Sequence, residues 1–494
     1  MSANMVGFAL LLLALMLFIG KVMRIRIKVT QKLFLPASIM GGFVALLLGP
    51  EVLGMLGGTI GGGVGEFIES GGVFGEEVLS VWKTLPGLLI SVVFATLFLG
   101  QKLPGPKSVY NLAGPQLAVG VAFASGQYVV GLLLAVAVLT PLFGMTPMAG
   151  ALIEIGFEGG HGTAAGMIPV FEDLGWSEGA DLAIAVATVG LVGGIVIGVA
   201  VINWAIRTGR TEVVTEVKDR SIAEQRGLFR KDEQYTAGNL TSRPSSIEPL
   251  SLHVAFVAIA ILIGVILLEG IQWIEQMLWA DTVELLAYVP LFPLAMIGGI
   301  ILQLGLNKIG YGHLIDSGIM LRIQGLALDL LIVAALATIS LEAIADNIWP
   351  FVLLCVGGIV LNVFLLLWMV PRTIPSYWLE RGIGDFGQSM GVTATGLILM
   401  RIVDPEGKSP AFEAFGYKQL VFEPFFGGGL ITALSVPIIF QFGPYPLLAA
   451  MAVLLVASMA WGLLFWGKKK DDPHVDKLLE DKEAASDGVA PDPV

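Results

Sequence analysis

The sequence predicts an all-α polytopic membrane protein with about 11 transmembrane helices, of the length that spans a bilayer. Three observations lead there. Hydrophobic residues make up 55% of the chain and charged residues only 14%, against about 25% charged in an average soluble domain. Apolar runs long enough to cross the hydrocarbon core recur along the chain. Two glycine-rich, polar-dotted segments, 146–170 and 383–403, interrupt that pattern at matching places in the two halves.

The expected spans are 5–21, 33–49, 84–100, 114–140, 180–206, 252–270, 284–305, 323–343, 350–370, 418–440 and 445–466. The first has no basic residue before it and Lys21, Arg24, Arg26, Lys28 and Lys32 after it. A signal peptide has the reverse order, so the run reads as a retained span with its N-terminus outside. Lys and Arg in short loops mark the cytoplasmic side. Glu51, Glu66, Glu69, Glu76 and Glu77 then place loop 50–83 outside, and Lys102 and Lys107 place the next loop inside. The polar linker 207–250 carries Arg207, Arg210, Lys218, Arg220, Arg226, Arg230, Lys231 and Arg243 and reads as a cytoplasmic hinge between halves. Lys308, Arg322, Arg372 and Arg381 also fall inside. Lys468–Lys470 put the C-terminus in the cytoplasm, followed by an acidic tail, 471–494, whose composition predicts disorder. By this count, segment 146–170 enters and leaves from the outer face and 383–403 from the inner face.

The chain has 28 basic and 40 acidic residues, a formal net charge of -12, which argues against a nucleic-acid partner. Its one cysteine, Cys355, cannot form an internal disulfide, and its four histidines show no metal-ligand spacing. No structural metal or cofactor is expected.

The halves also repeat. Pro36–Gly42 matches Pro293–Gly299, and Ala95-Thr96 resembles Ala337-Thr338. Gln116 corresponds to Asn362, and the string Gly162–Gly166 to Val392–Gly396. The pairs keep their order, and the halves start on opposite sides of the membrane, so the repeat is inverted. The domains are then 1–206, linker 207–250, 251–442, an extra helix 443–467 and the tail 468–494. Glycine-interrupted segments at matching places in two halves point to a transporter binding site. Close packing of small residues between helices is the plainer alternative.

The first segment reads Glu154-Ile-Gly-Phe-Glu158-Gly159-Gly160-His161-Gly162-Thr163, and the second runs from Asp385 through Gln388, Ser389, Gly391, Thr393 and Thr395 to Arg401. An opened helix end offers N–H groups to a carboxylate, and unwound carbonyls suit Na⁺. With Pro36–Gly42, Gly159–Thr163, Ala187-Thr188-Val-Gly190 and Gly387–Gly396, the chain up to about residue 440 resembles the bacterial sodium/glutamate symporter family. That resemblance implies two inverted five-helix repeats, paired re-entrant hairpins and a homodimer. It also implies an elevator-like movement, an amino-acid dicarboxylate as substrate and Na⁺ as coupling ion. Two departures fall near the implied site: Thr393-Ala394-Thr395 where the family often has Thr-Pro-Thr, and Glu158 where a small or neutral residue is expected.

Gly160, His161, Gly162, Thr163, Ser389, Gly391, Thr393, Thr395 and Arg401 are the candidates for substrate. Glu158, Gly159, Thr188, Gln116, Asp329, Asn362 and Asp385 are the candidates for Na⁺. Each has a structural alternative. His161 either bonds substrate or ties down a loop carbonyl. The hydroxyls either ligate or bond their own helix. Arg401 either anchors a substrate carboxylate through its guanidinium or pairs with Asp404. Asp385 and Glu158 either balance Na⁺ charge or lie at the interface. Asp329, an ionisable residue inside a span, either serves the ion or pairs with Arg322. Gln116 and Asn362 either reach a cavity or join neighbouring helices.

The expected function is Na⁺-coupled symport of L-glutamate in the bacterial inner membrane, or of another organic anion such as a di- or tricarboxylate. No Ser/His/Asp set or metal-binding helix suggests a membrane enzyme. Hairpins entering from opposite faces fit a carrier better than a channel filter.

Overall fold

The structure is a computed structural model that describes residues 2–32, 35–54, 68, 71–101, 106–213, 226–231, 234, 236–279, 286–405 and 407–468. Glu66, Glu69, Lys102, Lys218, Arg220, Lys469, Lys470 and the tail 471–494 lie outside them. All regular structure among the described residues is helical. Eleven of those helices are long and apolar enough to cross a membrane, and the protein is a multi-pass membrane protein.

The expected spans recur with one exception. Residues 418–440 are not one helix but parts of two short ones, Ala411–Phe422 and Leu430–Phe442. Between them lie Pro424 and the run Gly427-Gly428-Gly429, where Gly427 and Gly428 have positive φ. Proline and left-handed glycines stop a helix, whatever the surrounding hydropathy. The eleventh long helix is instead Trp378–Val403, which contains the second glycine-rich segment.

The chain forms two compact units, and each draws on both halves of the sequence. Unit one is Met1–Gln101, His161–Ile184 and Arg220–Ile348; unit two is Lys102–Gly160, Ala185–Asp219 and Trp349–Val494.

Unit one contains α1 (Ala3–Arg26), α2 (Ala37–Leu48) and α3 (Glu76–Thr96) from the first half. From the second half come α4 (Pro249–Leu278), α5 (Leu291–Lys308) and α6 (Ser317–Ala337). The matching motifs do matching work here. On α2, Gly41 meets the Met16 carbonyl region of α1; on α5, Gly298 lies against the Ala260 carbonyl of α4. The next glycines reach across: Gly42 abuts Leu336 of α6, and Gly299 abuts the Ala95 carbonyl of α3. Helices without a hydrophobic drive to associate use such small residues to bring backbones together. Thr96 and Thr338 also behave alike, each donating its hydroxyl to the carbonyl four residues back, Val92 and Ala334. Trp82, fully buried, donates its indole N–H to the Ala9 carbonyl at 3.0 Å and joins α3 to α1.

Unit two contains α7 (Pro106–Leu134), most of α8 (Glu178–Arg207), α9 (Ile348–Phe364) and α10 (Trp378–Val403). It ends with α11 (Ala411–Phe422), α12 (Leu430–Phe442) and α13 (Pro444–Trp461). Both α7 and α9 widen at the end into one π-helical turn, Ala135–Leu139 and Leu365–Met369, and finish in a short helix holding Pro141 or Pro371. A proline ring crowds the carbonyl four residues back, and a widened turn relieves it. The extra C-terminal helix α13 packs along α7, and the Trp466 ring just beyond it covers Gly114 and meets Tyr110 at 5.4 Å.

Any side chain at Gly298 would strike the Ala260 carbonyl, whereas Gly270 has open space around it. Gly298→Leu is therefore expected to cost about 1–3 kcal/mol or more through overpacking. Gly270→Ala is expected to be neutral or to stabilise by up to about 1 kcal/mol. Thermal melts of the purified variants in detergent check both.

Candidate functional site

The site begins with two interruptions of the backbone. Inside α10, Gly391 (φ −165°, ψ 51°) and Val392 (φ 62°, ψ 168°) leave helical geometry. The chain reverses there. A Cβ built on Gly387 would stand 2.7 Å from the Gly396 Cα, although residues nine apart in a continuous helix are about 13 Å apart. Gly384 likewise lies against Gly396 and Met400. The segment is thus two antiparallel helical limbs joined at Gly391–Val392. A β-branched residue at positive φ is strained, and Val392 is one of only two non-glycine residues at positive φ among those described.

The first glycine-rich segment breaks differently. A 3₁₀ turn (Pro147–Ala151) leads into a π-helical turn (Glu154–Glu158), and Gly160 takes φ +66° before the short helix Gly160–Gly166. The two breaks meet within unit two: a Cβ on Gly160 would collide with the Val392 Cγ1. Glycine is required at 160 on both counts, backbone and space.

Polar side chains of unit two collect around these breaks. Gln127 Nε2 and Asn362 Nδ2 both donate to the Ser389 carbonyl, at 2.6 and 2.9 Å, two residues before the chain turns. Lys418 of α11 reaches Asp385 at 3.3 Å and Gln388 Oε1 at 2.5 Å, and its ammonium sits 4.0 Å from the centre of the Phe422 ring. Lys418 and Asp385 are both fully buried. Arg381, also fully buried, donates Nη2 to the Leu112 carbonyl at 2.7 Å and Nε to Gln116 Oε1 at 3.3 Å. Glu154 accepts from Tyr128 (2.6 Å), Thr432 (2.7 Å) and the Gly427 N–H (3.0 Å). Thr393, on the second limb, donates to Glu423 at 2.8 Å and accepts from Gln419 at 2.7 Å.

Acid outweighs base in this cluster. Glu158 lies in the fields of Lys418, Glu154 and Asp385, and Asp385 in those of Lys418 and Arg381, so three buried carboxylates face two buried cations. Charges inside a membrane protein are costly and mark ion or substrate pathways.

The predicted residues divide between the two units. His161, Gly162 and Thr163 belong to unit one, where Gly162 packs on Ile90 and Leu328. Asp329 is also in unit one, exposed on α6 near Ser38 rather than paired with Arg322. Gln116, Glu158, Gly159, Gly160, Thr188, Asn362, Asp385, Ser389, Gly391, Thr393, Thr395 and Arg401 belong to unit two. Of these, Gln116 and Asn362 join neighbouring helices, and the Thr395 hydroxyl bonds its own helix at Gly391. Thr188 is half-buried on α8. Arg401 is exposed and Asp404 does not pair with it. Asp404 instead accepts from the N–H groups of Lys408 and Ser409 and from the Ser409 hydroxyl. The buried guanidinium of this segment is that of Arg381, which the orientation count assigns to a cytoplasmic loop.

Lys418 and Gln127 also escape sequence reasoning. Lys418 is the first residue of the expected span 418–440 and is not among the candidate residues. Gln127 had a signal in the sequence, since it is a second amide in the same apolar helix as Gln116.

Residues 82–404 match the sequence model of a family described as Sodium/glutamate symporter, which is well over half of the chain. The chain belongs to the sodium/glutamate symporter family. It is 25% identical over 336 residues to a sodium/glutamate symporter of Escherichia coli (strain K12), covering 66% of this chain and 75% of that protein. The same figures hold for a sodium/glutamate symporter of Shigella flexneri. The family match ends at Asp404, so Lys418 and Glu423 lie beyond it while completing the charge cluster inside it.

Removing one member of a buried ion pair strands the other. Lys418→Met is expected to destabilise by about 3–5 kcal/mol. The double change Lys418→Met with Asp385→Asn should recover most of that loss. A double-mutant cycle from thermal melts measures the coupling.

Proposed function

We propose that this chain is a Na⁺-coupled secondary carrier of L-glutamate working by alternating access of the elevator type. The observation that carries this reading is the meeting of two broken helices at Gly160 and Val392, beside an excess of buried carboxylate, in a sodium/glutamate symporter family member. A carrier needs a polar site at membrane depth that two ligands of opposite charge can fill together. Broken helices supply the backbone groups for the anion, and surplus carboxylates supply the charge for the cation.

In this reading, segments 146–170 and 383–403 are re-entrant hairpins that enter from opposite faces. The two halves are inverted repeats, and the protein is a homodimer in the bacterial inner membrane with an outside N-terminus and a cytoplasmic C-terminus. The second limb of α10 opens at Thr393, where the N–H groups and positive dipole end of the helix suit a carboxylate. Gly160 of the first segment and Ser389, Gly391, Thr393 and Thr395 of the second, all of unit two, offer their groups to the substrate. On the Na⁺ side, Asp385 is held by Lys418, and the Gln116 and Asn362 amides are held by helix contacts. Glu158 carries the uncompensated charge.

Full-length protein in proteoliposomes should accumulate labelled L-glutamate when an inward Na⁺ gradient is imposed, and should stop when K⁺ replaces Na⁺. Counterflow of unlabelled glutamate should accelerate exchange, as a carrier allows and a channel does not. Uptake indifferent to Na⁺, with no competition from related acids, would end the symport reading. Preferential competition by a di- or tricarboxylate would move the substrate to another organic anion.

A further inference from the structure

Part of the linker returns to the basic end of α1. Lys21 Nζ donates to the Gly227 carbonyl at 2.6 Å. A Cβ built on Gly227, whose φ is +63°, would stand 3.7 Å from the Arg24 guanidinium carbon. Arg24 itself donates Nη1 to the Leu35 carbonyl at 2.9 Å. Residues 226–231 are therefore fixed against the last turns of α1, within unit one.

That end of α1 stands at a membrane surface. The helix has 24 residues, enough to cross the hydrocarbon core and end among the headgroups. Leu11, Leu15, Phe18 and Val22 are all exposed. They recur at helical spacing, so one side of α1 is turned to lipid along its length.

Two strips at this end share one composition. Arg26-Ile27-Lys28-Val29 continues α1, and Arg226-Gly-Leu228-Phe229-Arg230-Lys231 lies beside it. Val29 and Phe229 are 62% and 61% exposed, and Ile27 and Leu228 are exposed as well. So are the cations Arg26, Lys28, Arg226 and Lys231. Neither strip contains an acidic residue, and nor does the rest of α1. The bonds of Lys21 and Arg24 go to carbonyls, which leave their charge uncompensated. Glu224, Asp232 and Glu233 flank the second strip in sequence and lie outside the described residues.

The chemistry of the two strips limits the partner. A soluble anion would meet the cations but leave four apolar side chains in water. A zwitterionic headgroup would bring its own ammonium to the cations. An acidic phospholipid meets both needs, with phosphate against the cations and acyl chain against the apolar side chains. We propose that this face of unit one binds acidic phospholipid headgroups and holds residues 226–231 on the membrane surface. The proposal rests on the chain's being a membrane protein and not on the transport reading.

The test uses purified full-length protein in detergent, titrated with dioleoyl phosphatidylglycerol or, in parallel, dioleoyl phosphatidylcholine. The signal is the thermal midpoint. Phosphatidylglycerol should raise it at the lower mole fraction, as a ligand of the folded state does. Arg226→Gln with Lys231→Gln should weaken half-saturation by about five- to thirtyfold, at roughly fivefold per cation on an anionic surface. Leu228→Ser with Phe229→Ser should weaken it by about threefold or more through lost apolar contact. All four side chains are exposed, so both double variants are expected to fold. Arg243→Gln, at an exposed position further along the linker, should change nothing. A second readout is tryptic cleavage within 226–231 of the native protein in nanodiscs. It should be at least about tenfold slower with phosphatidylglycerol present than in phosphatidylcholine alone.

Equal half-saturation in the native protein and both double variants overturns the proposal, as does an equal loss in Arg243→Gln. Inorganic phosphate that reproduces the shift at constant ionic strength would mark a site for a soluble anion, and also overturns it. Cleavage equally slow in both lipids means that a second copy or another part of the chain covers the strip. Cleavage equally fast in both means that lipid does not cover it. Either result overturns the proposal.

Discussion

Peptide groups that leave a helix inside a membrane protein have no water to turn to. The polar contacts around Ser389 follow from that constraint. The reversal at Gly391–Val392 opens the helix at Ser389, and two amides from separate helices, Gln127 and Asn362, converge on its carbonyl. The break at Gly160 is in direct contact with Val392. The strained valine and the obligatory glycine therefore support one another. Neither conformation would persist alone, because strain of this kind survives only where the surroundings over-determine it.

Charge is organised around the same breaks. Glu154 is held by three donors, two of them from the residues around Gly427–Thr432. Asp385 is held by Lys418, whose aliphatic stem also fills the space left by Gly120. These two carboxylates are structural pillars. Glu158 has neither solution: its carboxylate oxygens accept no hydrogen bond and make no ion pair among the described residues. The three differ in partners and not in burial, since all are almost fully buried.

The sequence made the membrane class and most spans legible, because a run of some 20 apolar residues has few other uses. The matched glycines pack helices closely, which is the plainer of the two readings of those motifs: Gly42 and Gly299 each reach across to the other half's helix near its Ala-Thr pair. Where hydropathy misled, glycine and proline had the stronger say. Residues 418–440 are apolar enough for a span, yet Pro424 and three successive glycines divide them. The candidate site was legible at its breaks and not at its charges. Arg401 and Arg381 look alike in sequence, and only the reversal of α10 decides that one is exposed while the other is enclosed. Lys418 was invisible for a related reason. Its partner Asp385 lies on another helix, and no periodicity records a pairing between elements.

The long-range bonds of Glu154 bear on how the protein is made. Its partners Gly427 and Thr432 lie 273 and 278 residues downstream. While the ribosome is still translating the intervening chain, the Glu154 carboxylate has only the Tyr128 hydroxyl of its three donors. Unit two is thus a structure whose early parts must wait, with an unfinished polar interior, for the last helices to arrive.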